Sequence, residues 1–169
     1  MGKKSKAKAD KPSKKERLPR PKRVLSLDPG VANFGACLLI EGKPVKAYWV
    51  KAQQNITDDG VFINSMIELI DETKPDFIIA EKYQFRGMQS MYVEVVSQML
   101  GRLSMLTRIK YNLELHQISA SQWKTFYKIK KLPKGVWSLF PEEKKLFEAV
   151  HQVDAAAIGK YGWERLSQL

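Results

Sequence analysis

Val24-Leu25-Ser26-Leu27 is a short apolar run closed by Asp28 and the turn pair Pro29-Gly30, a pattern that predicts a buried strand. Phe34 to Ile40 predicts a second strand, Glu41-Gly42-Lys43 a hairpin turn and Val45 to Val50 a third strand. Three strands in hairpin succession make an antiparallel meander. Val61, Met66, Ile67, Leu69 and Ile70 then follow a helical spacing that ends before Pro75. Asp76 to Glu81 predicts a fourth strand, and strand–helix–strand in one sheet implies a right-handed crossover. A long helix is expected from Ser90 to Tyr111, with Val95, Val96, Met99, Leu100, Leu103, Leu106 and Ile109 as its apolar positions. Leu113 to Ile118 reads as a fifth strand. Ser119, with Gln122 three residues on, reads as the N-cap and capping box of a short helix carrying Trp123, Phe126 and Tyr127. Residues 128–140 look irregular, and Pro141 suits the first turn of a last helical region, with a break near His151. The order βββαβαβα predicts an α/β protein, one mixed sheet with helices on its faces.

Length and charge refine this picture. A chain of 169 residues suggests one domain, long enough to bury a sizeable core. No apolar stretch approaches the roughly 20 residues of a membrane span, so no membrane partner is expected, and the basic N-terminus does not read as a secretory signal. Cys37 is the single cysteine, so an internal disulfide is excluded and an intracellular setting fits. The formal net charge is +11 and unevenly spread. Residues 1–23 hold eleven Lys or Arg against Asp10 and Glu16, with almost no apolar content, and read as a disordered basic arm before a folded domain over 24–169. Residues 102–134 hold eight more, including Lys124, Lys128, Lys130, Lys131 and Lys134, against Glu114 alone. Such clustering is the footprint of a polyanion, and nucleic acid is the expected partner.

The candidate chemistry lies in three acids. Asp28 ends the first strand, Glu81 ends the fourth, and Asp154 opens the small-residue run Ala155-Ala156-Ala157-Ile158-Gly159, suited to close helix–sheet approach. Taken singly, each could serve as a cap or turn former. Together, in a basic protein, they match what two-metal phosphodiester hydrolysis needs: carboxylates converging to hold two Mg²⁺, a hard cation that takes oxygen ligands. Mn²⁺ is the expected substitute. His151 lies three residues before Asp154 and shares its face if the stretch is helical, as a metal ligand, a proton shuttle or an ordinary helix-surface histidine. His116 reads as structural. Tyr83 and Phe85, beside Arg86, suit either stacking on unpaired bases or packing under their loop.

These motifs resemble a known family. Val24-Leu25-Ser26-Leu27-Asp28-Pro29-Gly30 followed by Phe34-Gly35-Ala36-Cys37, Pro75-Asp76-Phe77-Ile78-Ile79-Ala80-Glu81, and His151-Gln152-Val153-Asp154-Ala155-Ala156-Ala157-Ile158-Gly159 look like the three acidic motifs of RuvC-type Holliday junction resolvases, of the RNase H-like superfamily. The likeness runs over most of residues 24–165. It implies a five-stranded RNase H-like fold and a homodimer that cuts opposed strands of a four-way DNA junction by paired symmetric nicks. Asp28, Glu81 and Asp154 carry over as metal ligands, with His151 at a position many members fill with Asp. Lys124 matches a basic residue used near the scissile phosphate, Lys134 is a candidate second lysine, and the loop after Glu81 matches the region that enters the junction centre. The long helix, over about 90–111, has more apolar positions than one sheet face needs, which fits a two-fold interface.

Other readings remain at this level. An RNase H-like nuclease acting on RNA, an RNA–DNA hybrid or other branched DNA would share the acids, and a non-catalytic junction-binding protein would lack some of them. Sugar-kinase and actin-type ATPases also open with a strand–Asp–Gly hairpin, but they need two lobes. The expected setting is the nucleoid or cytoplasm of a bacterium or a virus-infected cell, with an organelle or nucleus as alternatives.

Overall fold

The computed structural model describes residues 20–31, 33–51, 59–82, 90–129 and 134–165. Five strands, β1 (Arg23–Asp28), β2 (Asn33–Ile40), β3 (Lys43–Lys51), β4 (Phe77–Lys82) and β5 (Leu115–Ser119), form one sheet in the order β3-β2-β1-β4-β5. The first three are the antiparallel meander, while β1–β4 and β4–β5 pair in parallel. The parallel pairs require crossovers, made by α1 (Asp59–Thr73) and α2 (Ser90–Tyr111). After β5 come the short helices α3 (Ala120–Phe126) and α4 (Lys134–Trp137), a 3₁₀ turn at Lys144–Leu146 and α5 (Val150–Arg165).

Alternation along the strands divides the core into two layers. Leu25, Leu27, Ile78 and Ala80 face α1 and α2 and pack with Met66, Leu69, Met99 and Leu103. Val24, Phe77 and Ile79 face the other way and pack with Trp123, Val153 and the α5 alanines. Each large side chain fully buried this way contributes roughly 1.5–3 kcal/mol. Small residues set how closely α5 sits. A Cβ on Gly159 would fall within 2.6 Å of Ser26 Oγ, and one on Gly162 within 2.7 Å of Ile79 Cδ1. Ser26, wholly buried beneath α5, donates its hydroxyl to the Cys37 carbonyl at 3.1 Å. Burial pushes the Cys37 thiol well above its usual range, so it stays an inert core group.

Three local expectations need correction. The last helical region does not start at Pro141: residues 141–143 bend, a single 3₁₀ turn follows, and α5 begins at Val150. Its start is set by Gln152, whose buried amide oxygen accepts from the Glu148 and Ala149 backbone N–H groups at 2.6 and 3.1 Å. His151 therefore lies in the first turn of a helix, not at a break within one. Residues 134–137 within the expected irregular stretch form α4, which buries Val136. In α1, Val61 is exposed and Phe62 takes the buried position instead.

The chain enters the sheet through a clamp. The Arg20 guanidinium lies 4.5 Å from the centroid of the Trp163 ring, and Trp163 Nε1–H donates to the Pro21 carbonyl at 3.2 Å. Gly42, at φ +80°, gives the β2–β3 turn room for that indole. The Asp76 carboxylate then accepts from the Lys22 and Arg23 backbone N–H groups at 3.0 and 2.9 Å.

Candidate active site

Sheet register brings two of the acids together. The β1–β4 pairing ends at Leu27 opposite Ala80, so Asp28 and Glu81 are the next residues on adjacent parallel strands. Asp28 is opposite Gly35 on β2. A Cβ at Gly35 would fall on the backbone carbonyl of His151, so the bare glycine lets the first turn of α5 close over the strand ends. That approach delivers His151 and Asp154.

His151 Nδ1 meets Asp28 Oδ2 at 2.8 Å. This hydrogen bond raises the affinity of the imidazole for its proton, burial opposes it, and the Asp28 and Asp154 charges add to the rise. Glu81 Oε2 accepts from the Trp123 indole N–H at 2.7 Å. The Lys124 ammonium lies 4.7 Å from the Trp123 ring centroid.

Asp154 is the exceptional group. Its Oδ1 is buried with no hydrogen-bond partner. Burial first, then the Asp28 and Glu81 charges, push its carboxyl up to about 7, against the attraction of Lys124 and His151. A carboxylate that must face two others away from water lacks a cation. The donor set, oxygen-rich with one imidazole, fits a hard divalent ion. Among the described residues no three His, Cys, Asp or Glu side chains stand arranged to hold a metal ion. Asp28 is turned onto His151 and Glu81 onto Trp123.

The expected site residues are thus partly assembled. Asp28, Glu81, His151, Asp154 and Lys124 lie together at one end of the sheet. Lys128 is exposed on the turn after α3, at φ +54°. Tyr83, Phe85, Arg86, Lys130 and Lys131 lie outside the described residues, as does the side chain of Lys134, which opens α4. His116 stacks on Phe77 with centroids 4.3 Å apart, the structural role expected of it. Trp123 and Gln152 were not among the expected site residues. A tryptophan beside Lys124 in a short helix reads as core, and nothing in the local pattern tells where its N–H points.

This sheet order, with helices on both faces and acids at the ends of the central strands, is the RNase H-like fold in its RuvC form. Two solved structures of Thermus thermophilus RuvC share it. One, in complex with a Holliday junction substrate, superposes with a TM-score of 0.69 at 18% identity over 85% of this chain and 94% of that one. The other gives 0.68 at 20% identity, with the same coverage. The yeast mitochondrial Holliday junction resolvase Ydc2 gives 0.53 at 17% identity, over 90% of this chain and 81% of that one. No protein-family model matches the chain, and no curated protein matches it in sequence.

Proposed function

We propose that this protein is a divalent-metal-dependent endodeoxyribonuclease that resolves four-way DNA junctions. The observation that carries the proposal is Asp154: a carboxyl with one oxygen buried and unpartnered, repelled by two further acids at the end of an RNase H-like sheet. Asp28, Glu81 and Asp154 would hold two Mg²⁺, with His151 as the fourth group. When bound, the ions supply a polarised water and charge stabilisation at the leaving oxygen of a phosphodiester. The residues of the chain do the rest. His151 orients Asp28, Trp123 engages Glu81, and Lys124 offers a cation to the phosphate. The likeness to a RuvC solved on a Holliday junction supports the choice of branched DNA.

A junction with two opposed strands to cut calls for two copies of the site. Support for a homodimer comes from α2, where Met105 and Ile109 are 64% and 78% exposed. Gly101, one turn before Met105, has open space above it. Met105 and Ile109 line a shallow groove with Ile63 and Leu106, flanked by Arg102 and Lys110, a surface suited to a twin helix. The lysines of 124–134 would then track the DNA backbone beside the site, and Tyr83, Phe85 and Arg86 would meet the junction centre. A DNA-containing compartment follows, and no described helix is long and apolar enough to cross a membrane.

The test is cleavage of a labelled four-way junction, a flap, a duplex and an RNA–DNA hybrid, with and without Mg²⁺. Paired symmetric nicks confined to the junction and dependent on Mg²⁺ are expected. Asp28→Asn should keep junction binding and lose cleavage. Preferential cutting of the hybrid, or near wild-type junction cleavage by Asp28→Asn, overturns the proposal.

A further inference from the structure

Trp123 is fully buried, yet its polar atom is spent on a site acid. The indole belongs to the core layer with Ile118, Val136 and Val153. A buried indole N–H needs an acceptor, and a backbone carbonyl is the usual one. Here it reaches Glu81 Oε2 at 2.7 Å, a charge-assisted bond to a carboxylate. The route to that contact is built by the chain. β5 lies beside β4 with Ile118 opposite Glu81 and Ser119 opposite Lys82, so α3 starts next to the acid. Gln122 Oε1 accepts from the Ser119 backbone N–H at 2.7 Å and fixes the first turn of that helix. Trp123, four residues past Ser119, then comes round against the sheet.

The same ring has a second use. Lys124 folds back so that its ammonium sits 4.7 Å from the indole centroid, where the ring's negative face attracts a cation. We infer that Trp123 is a positioning residue of the acidic site: its indole N–H sets the rotamer of Glu81, and its ring seats Lys124. One buried side chain thereby keeps a cation ligand and a phosphate-facing ammonium in fixed relation. The inference rests on the nuclease reading and adds to it a residue that touches neither metal nor substrate. A core role alone would be met by any aromatic of similar volume. The positioning role needs the N–H.

Trp123→Phe separates the two, since it keeps an aromatic face and most of the apolar core contact and removes the donor. In the full chain, calorimetric binding of Mg²⁺ without DNA should weaken by about 10- to 100-fold, the usual effect of losing a partner that orients a metal ligand. Junction cleavage should need correspondingly more Mg²⁺, while junction affinity in chelator matches wild type. The geometry is also tested in the unaltered core. In ¹⁵N-labelled protein the Trp123 indole N–H resonance should move on addition of Mg²⁺ and again in Glu81→Ala, a measurement that stands even if Trp123→Phe folds poorly. Wild-type Mg²⁺ affinity and cleavage in Trp123→Phe, or an indole resonance indifferent to both Mg²⁺ and Glu81→Ala, overturns the inference. A wild-type chain that neither binds Mg²⁺ nor cuts the junction sinks the nuclease reading instead, and the response to Glu81→Ala still reports on the contact.

Discussion

His151 Nδ1 stands 2.8 Å from Asp28 Oδ2, a bond that ties the first turn of α5 to the end of β1 across 123 positions of sequence. Because it raises the imidazole's proton affinity above the usual 6.5, its stabilisation is fully present below pH 6.5 and is lost as pH rises through the folded value. The pair is partly exposed, so its worth is about 1 kcal/mol. His151→Ala should be less stable than wild type by that amount at pH 6, and the gap should close by pH 9 in urea unfolding without metal. A gap constant with pH would assign His151 a packing role only.

Asp154 carries the opposite burden. Its carboxyl is raised from 3.8 to about 7, so the fold holds a proton there that the unfolded chain has released. Metal-free stability should therefore fall as pH climbs from 4 to 7 and stay low above that. Asp154→Asn should melt higher than wild type at pH 8 and close to it at pH 4. Mg²⁺ should raise the wild-type melting temperature more at pH 8 than at pH 6, because below 7 it must displace the proton. Cleavage should rise over the same interval.

Gly35 sets the distance between sheet and site. Gly35→Ala would put a methyl group on the His151 carbonyl and push the start of α5 outward. Overpacking of this kind costs about 1–3 kcal/mol. The loss of junction cleavage should exceed what the melting shift explains, since His151 and Asp154 would leave Asp28 together. Cleavage that tracks stability alone would count against this geometry.

The α2 surface predicts assembly. Ile109 is 78% exposed, so Ile109→Asp should change monomer stability by no more than about 0.5 kcal/mol. It should nevertheless shift the sedimentation of a micromolar sample from dimer towards monomer and reduce paired nicking to single nicks. A wild-type chain that sediments as a monomer would remove the two-fold surface from the proposal.

The basic arm predicts a salt effect. Of the eleven Lys or Arg in the arm over residues 1–23, eight lie in residues 1–19, ahead of the Arg20 clamp. Each one engaged with a duplex phosphate adds about 0.9 to the slope of log affinity against log salt. Deleting these residues should weaken junction binding and flatten that slope by several units. An unchanged slope would make the arm a bystander.

Much of this was legible from the chain. Asp28 and Glu81 stand out because a short apolar run stops at each, whereas the adjacency of their strands comes from the β1–β4 pairing, which a crossover out of β3 does not dictate. Asp154 stands out because three alanines follow it directly, with Gly159 just beyond Ile158, a small-residue run suited to a helix pressed against a sheet. The contacts of Trp123 and Gln152 were not legible. Both depend on where a side chain points after long-range packing, which local pattern does not encode. The start of α5 was misplaced for the same reason: Pro141 permits a first turn, but the Gln152 amide decides where one forms. Val61 and Phe62 exchanged roles because two adjacent apolar residues satisfy helical spacing equally well, and only the sheet beneath chooses.

The Arg20–Trp163 clamp has a consequence for how the protein would stay on DNA. Trp163 is twelve residues along α5 from His151, about 18 Å at the helical rise. Arg20, where the described chain begins, is therefore held at the opposite end of the helix from His151. Nineteen residues can span at most about 60–70 Å, so the basic residues preceding Arg20 would have the length to reach duplex beyond the junction centre under the proposed function. Under the proposed function, the site and the arm would act as two tethered binding modules: release at one would leave the other holding the same molecule, with rebinding governed by local concentration near the tether. The contact between the Arg20 guanidinium and the Trp163 indole would fix the origin of that tether, and so the region of DNA over which the protein could let go without leaving.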